Sequence, residues 1–199
     1  MKYATLAVAL AAAVLSGAAQ AALQGRDLNG DGTVDAFYDT DLNITWRRNA
    51  NLNGLMSWAD AVAWADNMTF GGYSDWRLPT SAACLAFNCT GSEMGHLWYV
   101  ELGNLAGDVT PNTGNFVNMQ LYAYWSGTTY ASDASQAYHF NVDMGDQDVA
   151  GKANPLFAMA VRPGDVIAAV PEPETYAMML AGLAALAAVG RRRRSRELA

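Results

Sequence analysis

Cysteine, histidine and basic side chains are all scarce in this chain, and each scarcity excludes something. There are two cysteines, Cys84 and Cys89, and two histidines, His96 and His139, in 199 residues. No Cys/His set therefore has the number or spacing of a zinc site. No Gly-x-Ser-x-Gly elbow and no His-Glu-x-x-His run is present, which removes two common hydrolase signatures. Between Ala22 and Ala169 six basic residues face sixteen acidic ones, a net charge of −10. Such a field disfavours nucleic acid and polyanionic glycans and is compatible with bound divalent cations.

Both ends read as targeting segments. Lys2 precedes a run from Ala4 to Leu15 that is Ala/Leu/Val but for Thr5, and Ala19-Gln20-Ala21 supplies the small residues of a signal-peptidase site. Residues 1–21 are therefore expected to be a signal peptide. At the other end Pro171-Glu172-Pro173 is followed by an apolar stretch over 176–190 and by Arg191, Arg192, Arg193 and Arg194. An apolar run stopped by a basic cluster is a stop-transfer pattern, although this one is short and Ala-rich for a permanent span. The tripartite tail resembles the PEP-CTERM sorting signal of Gram-negative bacteria. That resemblance implies cleavage by an exosortase near Pro-Glu-Pro, a transient inner-membrane anchor, and delivery to a polysaccharide-rich surface layer or matrix. The expected division is thus a signal peptide (1–21), an exported domain (22–169) and a sorting segment (170–199). Export also favours a disulfide between Cys84 and Cys89, which have four residues between them and would staple one small loop.

Within the exported part, Asp27-Leu28-Asn29-Gly30-Asp31-Gly32-Thr33-Val34-Asp35 places oxygen-bearing side chains at alternate positions around Gly32. This matches the first nine positions of an EF-hand-type loop and makes Asp27, Asn29, Asp31, Thr33 and Asp35 candidate calcium ligands. The closing glutamate is missing, since the twelfth position is Tyr38. A polar turn is the alternative reading. Asp39 to Trp46 reads as a strand. Ser57-Trp58-Ala59-Asp60 reads as a capping box opening a helix, ended by Gly71-Gly72.

Gly71 to Thr80 is the expected corner of the domain. Trp76 and Leu78 are core candidates, while Asp75 and Arg77 share a face and are expected to hold each other or neighbouring loops. Thr80 or Ser81 should cap a helix running through Leu85. Glu93 to Gly103 reads as another short helix, with His96 a structural, hydrogen-bonding residue. Tyr122–Ser126, Ala137–Val142 and Leu156–Arg162 read as strands, and the aspartates of Asp143–Asp148 as a solvated hairpin turn.

These residues in this order, from the Asp31-Gly32-Thr33-Val34 loop through Trp46, the Trp58–Asp66 helix, Gly72–Pro79, Tyr124-Trp125-Ser126 and Val161-Arg162-Pro163, resemble the Lcl C-terminal domain family, named after a bacterial collagen-like adhesin. The resemblance implies a C-type-lectin-like α+β fold, a twisted antiparallel sheet with two helices, and contact with glycans. The founding adhesin binds sulfated polysaccharide, to which a domain of this charge is poorly suited. The expected function is a non-catalytic binding module for exopolysaccharide, with Trp98 and Tyr130 as candidate sugar-stacking rings and calcium as the cofactor. A calcium-stabilised structural protein is the alternative, and a carbohydrate-active enzyme with two acidic residues across a cleft is a third.

Overall fold

The computed structural model describes residues 23–166. The segments read as signal peptide and sorting tail lie outside the described residues. Within them the chain runs β1 (Leu23–Arg26), β2 (Ala36–Asp39), β3 (Ile44–Arg47), α1 (Trp58–Asp66), α2 (Glu93–His96), β4 (Ala123–Thr129), β5 (Gln136–Asn141), β6 (Gln147–Gly151) and β7 (Val161–Pro163). Helix α2 continues into a wider, π-type turn over Leu97–Glu101. The strands make two antiparallel sheets, in the orders β1-β2-β3-β7 and β4-β5-β6. This is a mixed α+β arrangement, with two sheets in place of the single expected one.

One segment joins the two sheets. Phe157 exchanges backbone hydrogen bonds with β4, through Trp125 N–H to its carbonyl and its own N–H to Ala123 O. Four residues later Val161 bonds Arg77 in both directions and pairs with Trp46 of β3. The corner motif is thus tied to the sheet junction by its backbone. Trp76 and Leu78 are buried beneath it, as expected.

The residues expected to form one strand from Asp39 to Trp46 form a hairpin instead. Asp39 Oδ1 accepts from the amides of Asp41 and Leu42, which bends the chain before it can extend. Asn43 then takes the left-handed conformation at φ +52°, a region that asparagine tolerates better than most residues. Helix α1 opens on the expected capping box. Ser57 Oγ accepts from Asp60 N–H and donates to the Asp60 carboxylate. The helix stops at Asn67, whose N–H closes on Ala63 O. Gly71 and Gly72, at φ +62° and +81°, do not end it. They turn a tight hairpin between Phe70 and Tyr73, a geometry that demands positive φ at both central residues.

The helix expected after Pro79 is absent. Its first amides are captured by side chains from elsewhere: Thr80 N–H by Glu93, Ser81 N–H by Thr128 and Ala82 N–H by Ser92. The Cys84–Cys89 disulfide forms and closes the loop that follows. Val142 to Asp146 turn the β5–β6 hairpin, with Asn141 N–H bonded to Asp146 O, while Gln147 and Asp148, expected in the turn, already pair in β6.

The larger core cluster gathers Trp46, Trp98, Tyr124, Phe140, Met159 and Val161, and a second lies under α1 around Leu78, Trp125 and Ala158. Among the described residues no helix is long and apolar enough to cross a membrane.

Candidate functional site

The acidic loop and the end of β3 enclose a cleft of about 220 Å³ lined by Thr33, Asp35, Arg47, Arg48, Asn49 and Phe70, with Val34 and Val117. The loop is shaped by its own side chains. Asp27 accepts from the amides of Asn29, Gly30 and Gly32. Asn29 Oδ1 accepts from Asp31 N–H, Asp31 Oδ1 from Thr33 N–H, and Asp35 Oδ2 from Leu28 N–H. The Thr33 N–H, with the Asn29 side-chain amide and the Thr33 side chain, holds the Asp31 carboxyl below its ordinary range, because hydrogen bonds to the charged form favour it. Leu28 also seats the loop against the Gly71 turn, where a Cβ on Gly71 would collide with it.

Alternation along β3 points Trp46 into the core and Arg47 toward the cleft side. The Arg47 guanidinium stacks 3.9 Å from the centroid of Phe70. Its Nη1 reaches Met68 Sδ at 3.4 Å, and its Nε is buried without a hydrogen-bond partner. Burial lowers its pKa, and the charge of Asp35 opposes that shift. Arg48 donates from Nη1 to Val34 O and from Nε to Asn115 O, fastening the rim on both sides.

Three other arginines make two-pronged carboxylate pairs: Arg26 with Asp165, Arg77 with Glu93 and Arg162 with Asp75. Among the described residues Arg47 and Arg48 make no ion pair within 4 Å. The cleft therefore presents cationic planar donors and an aromatic ring in a domain that is otherwise strongly acidic.

The five candidate calcium ligands share one loop, but their carboxylates bond mainly to loop amides. Each still keeps lone pairs free, since a carboxylate offers about four acceptor sites. The twelfth position supplies no ligand, because Tyr38 donates its hydroxyl to Asn43. Among the described residues the carboxylates of Asp27, Asp31 and Asp35 are not gathered within 4.8 Å of one another, so the structure places these candidates on one loop without assembling them into a metal shell.

Of the two candidate sugar-stacking rings, Trp98 is a correction. It is 2% exposed, packed edge-on to Phe140 at 6.0 Å in the core, so it offers no face to a ligand. Tyr130 is half-buried and lies edge-on to Tyr138 at 5.6 Å. Arg47, Arg48 and Phe70 were not singled out from the sequence. The available signal was an adjacent basic pair with no acidic residue beside it in an acidic domain.

Sheets, cleft and amide-bonded acidic loop together define a small α+β module. The model of the Lcl C-terminal domain matches residues 35–162, and the chain belongs to that family. The PEP-CTERM protein-sorting motif matches residues 169–194. That motif indicates exosortase-dependent export to the surface, with the C-terminus held transiently in the membrane. No curated protein matches the chain.

Proposed function

We propose that the exported domain is a non-catalytic binding module of the cell surface or extracellular matrix, and that its cleft takes segments of exopolysaccharide. The observation that carries this reading is the pair Arg47 and Arg48, the two arginines without a carboxylate partner among the described residues, set beside Phe70, Asn49 and Asp35. Planar guanidinium groups donate in pairs to adjacent sugar hydroxyls or to a sugar carboxylate. Asn49 and Asp35 add polar contacts, and Phe70, with Arg47 stacked on it, adds apolar surface to the wall. Asp35 is the one acidic residue among those lining the cleft, whereas glycoside hydrolysis uses two. This supports binding over catalysis.

The test is binding of the purified protein to exopolysaccharide from the producing cell, by calorimetry or co-sedimentation. Replacing Arg47 and Arg48 together with methionine is expected to weaken binding by about tenfold or more, since charged hydrogen bonds contribute roughly 1.5–3 kcal/mol each. Absence of binding by the unaltered protein, or binding unchanged in the variant, would overturn the reading.

A second reading, a structural surface protein stabilised by calcium, is favoured by the Asp27–Asp35 loop. It predicts a higher melting temperature in millimolar calcium than in chelator, because a ligand bound by the native state alone stabilises it. Asp31→Ala should abolish that difference.

A further inference from the structure

We propose that Asp39, His96 and Glu101 form a binding site for a divalent transition-metal ion of the zinc or manganese type, separate from the acidic loop. The three come from two parts of the fold. Asp39 ends β2 at the hairpin turn, and His96 and Glu101 lie on the helical segment that packs beside it. Residues five apart do not share a face of an α-helix. Here Leu102 N–H bonds to Leu97 O, a five-residue step, and this wider turn swings Glu101 round to His96. Such turns are frequent at functional sites.

One ligand atom from each residue, an imidazole nitrogen and two carboxylate oxygens, lies within 4.8 Å of the other two. His96 Nε2 and Glu101 Oε1 are 3.3 Å apart, close to the separation of two ligands each about 2.1 Å from one tetrahedral ion. Asp41, on the exposed side, has an oxygen 4.0 Å from the same nitrogen and is placed to act as a fourth donor.

Charge and burial both call for a cation there. Asp39 is fully buried and Glu101 is 6% exposed. Among the described residues no lysine or arginine forms an ion pair with either. Glu101 Oε2 is buried with no hydrogen-bond partner at all, an expensive state for a carboxylate oxygen. The Asp39 carboxylate is already oriented by the amides of Asp41 and Leu42 and by the Trp46 indole at 3.4 Å, the kind of outer support that fixes a ligand. A cavity of about 180 Å³ lined by Phe37, Leu23 and Asn112 reaches Glu101, and Asp41 borders the site on its exposed side. One nitrogen among oxygens suits zinc or manganese better than calcium, which prefers oxygen alone.

The experiment uses the purified full-length protein, stripped with chelator and titrated by calorimetry with Zn²⁺, Mn²⁺ and Ca²⁺. One equivalent of Zn²⁺ or Mn²⁺ is expected to bind and raise the melting temperature. His96→Gln and Glu101→Gln should each weaken binding by at least about tenfold, as lost ligand-shell groups do, while Asp31→Ala leaves it unchanged. Should the variants fail to fold, pulsed electron paramagnetic resonance of the Mn²⁺-loaded unaltered protein reads the site directly through coupling to one imidazole nitrogen. No stoichiometric Zn²⁺ or Mn²⁺ binding, binding unaffected in both folded variants, or a bound Mn²⁺ without nitrogen coupling would overturn the proposal.

Discussion

Glu93 and Glu101 begin and end one helical segment, yet their surroundings differ in almost every respect. Glu93 receives two guanidinium hydrogen bonds from Arg77, at 2.7 and 2.8 Å, and a third from Thr80 N–H. Glu101 has a single 3.3 Å contact with His96 and a second oxygen with no partner. The first carboxylate holds the corner of the domain to the helix. The second is desolvated without compensation, and burial together with the charges of Asp39 and Asp41 holds its pKa above the usual carboxylate value. A fold can leave a buried acid in that state, at a cost in stability, where a ligand supplies what the protein does not. The arginines divide in the same way: Arg26, Arg77 and Arg162 face carboxylates, while Arg47 and Arg48 line the cleft without one.

The comparison breaks most sharply by removing the satisfied acid. Glu93→Ala leaves Arg77 and the Thr80 amide without their acceptor. It should destabilise the protein by about 2–3 kcal/mol, below the fully buried case because Arg77 is a third exposed. Urea denaturation at neutral pH measures it. An effect under about 0.5 kcal/mol would mean the pair is no stronger than a surface bridge.

Replacing both cysteines with serine comes next. The disulfide closes a loop of only a few residues leading toward Glu93, so chain entropy gives a loss of about 2 kcal/mol. Metal uptake at Glu101 and glycan binding at Arg47 should both survive in the folded variant, because neither site includes that loop. Loss of either activity in a protein that still melts cooperatively would mean that the loop and the affected site are energetically coupled.

Glu101→Gln should go the other way. In chelator it removes a buried charge while keeping the shape, and the expected change is a gain of up to about 1 kcal/mol. With zinc present the order should invert, the unaltered protein becoming the more stable. A loss of about 2 kcal/mol or more in chelator would place Glu101 with Glu93 as a structural acid.

Much of the satisfied half of this comparison could be read in the sequence. The Ser57–Asp60 capping box, the Cys84–Cys89 bridge and strands β4 and β5 follow local sequence signals, and Trp76 and Leu78 are buried as their size and apolarity suggest, whereas of the strand expected over Leu156–Arg162 only Val161 and Arg162 pair in β7, and β6 lies partly where a turn was expected. The expectation that Asp75 and Arg77 hold either each other or nearby loops resolves to the second, through Arg162 and Glu93. What failed depended on distant partners. The helix after Pro79 lost to three side chains that captured its first amides, two from the Ser92–Glu93 turn and one from β4. Trp98 looked available because a short helix apolar on several sides does not reveal which of them meets Phe140. The convergence of Asp39, His96 and Glu101 rests on a hairpin where one strand was expected and on a five-residue helical step, neither of which has a periodic signature.

The smallest effect is also the one that separates the two kinds of acid by pH. Two hydrogen bonds from Arg162 hold the Asp75 carboxyl below its ordinary value of 3.8. A lowered native pKa stabilises the fold above the unfolded value and loses that contribution as pH falls through the native one. The loss should therefore begin only below about pH 4 and deepen as the solution is acidified further, and Asp75→Asn should be blind to it. Asp75 is nearly half exposed, so the difference between the two proteins at neutral pH should be no more than about 1 kcal/mol. Asp165 is held low first by its hydrogen bond from Arg26 and only last by the charge of Arg162, so most of its acid loss is common to both proteins and cancels. Urea midpoints of the two proteins at about pH 6 and about pH 2.5 supply the measurement, with the gap expected to close in acid. A gap unchanged at the lower pH would mean that Asp75 stabilises the corner through shape alone, and the distinction between paired and unpaired acids would then rest on Glu93 and Glu101.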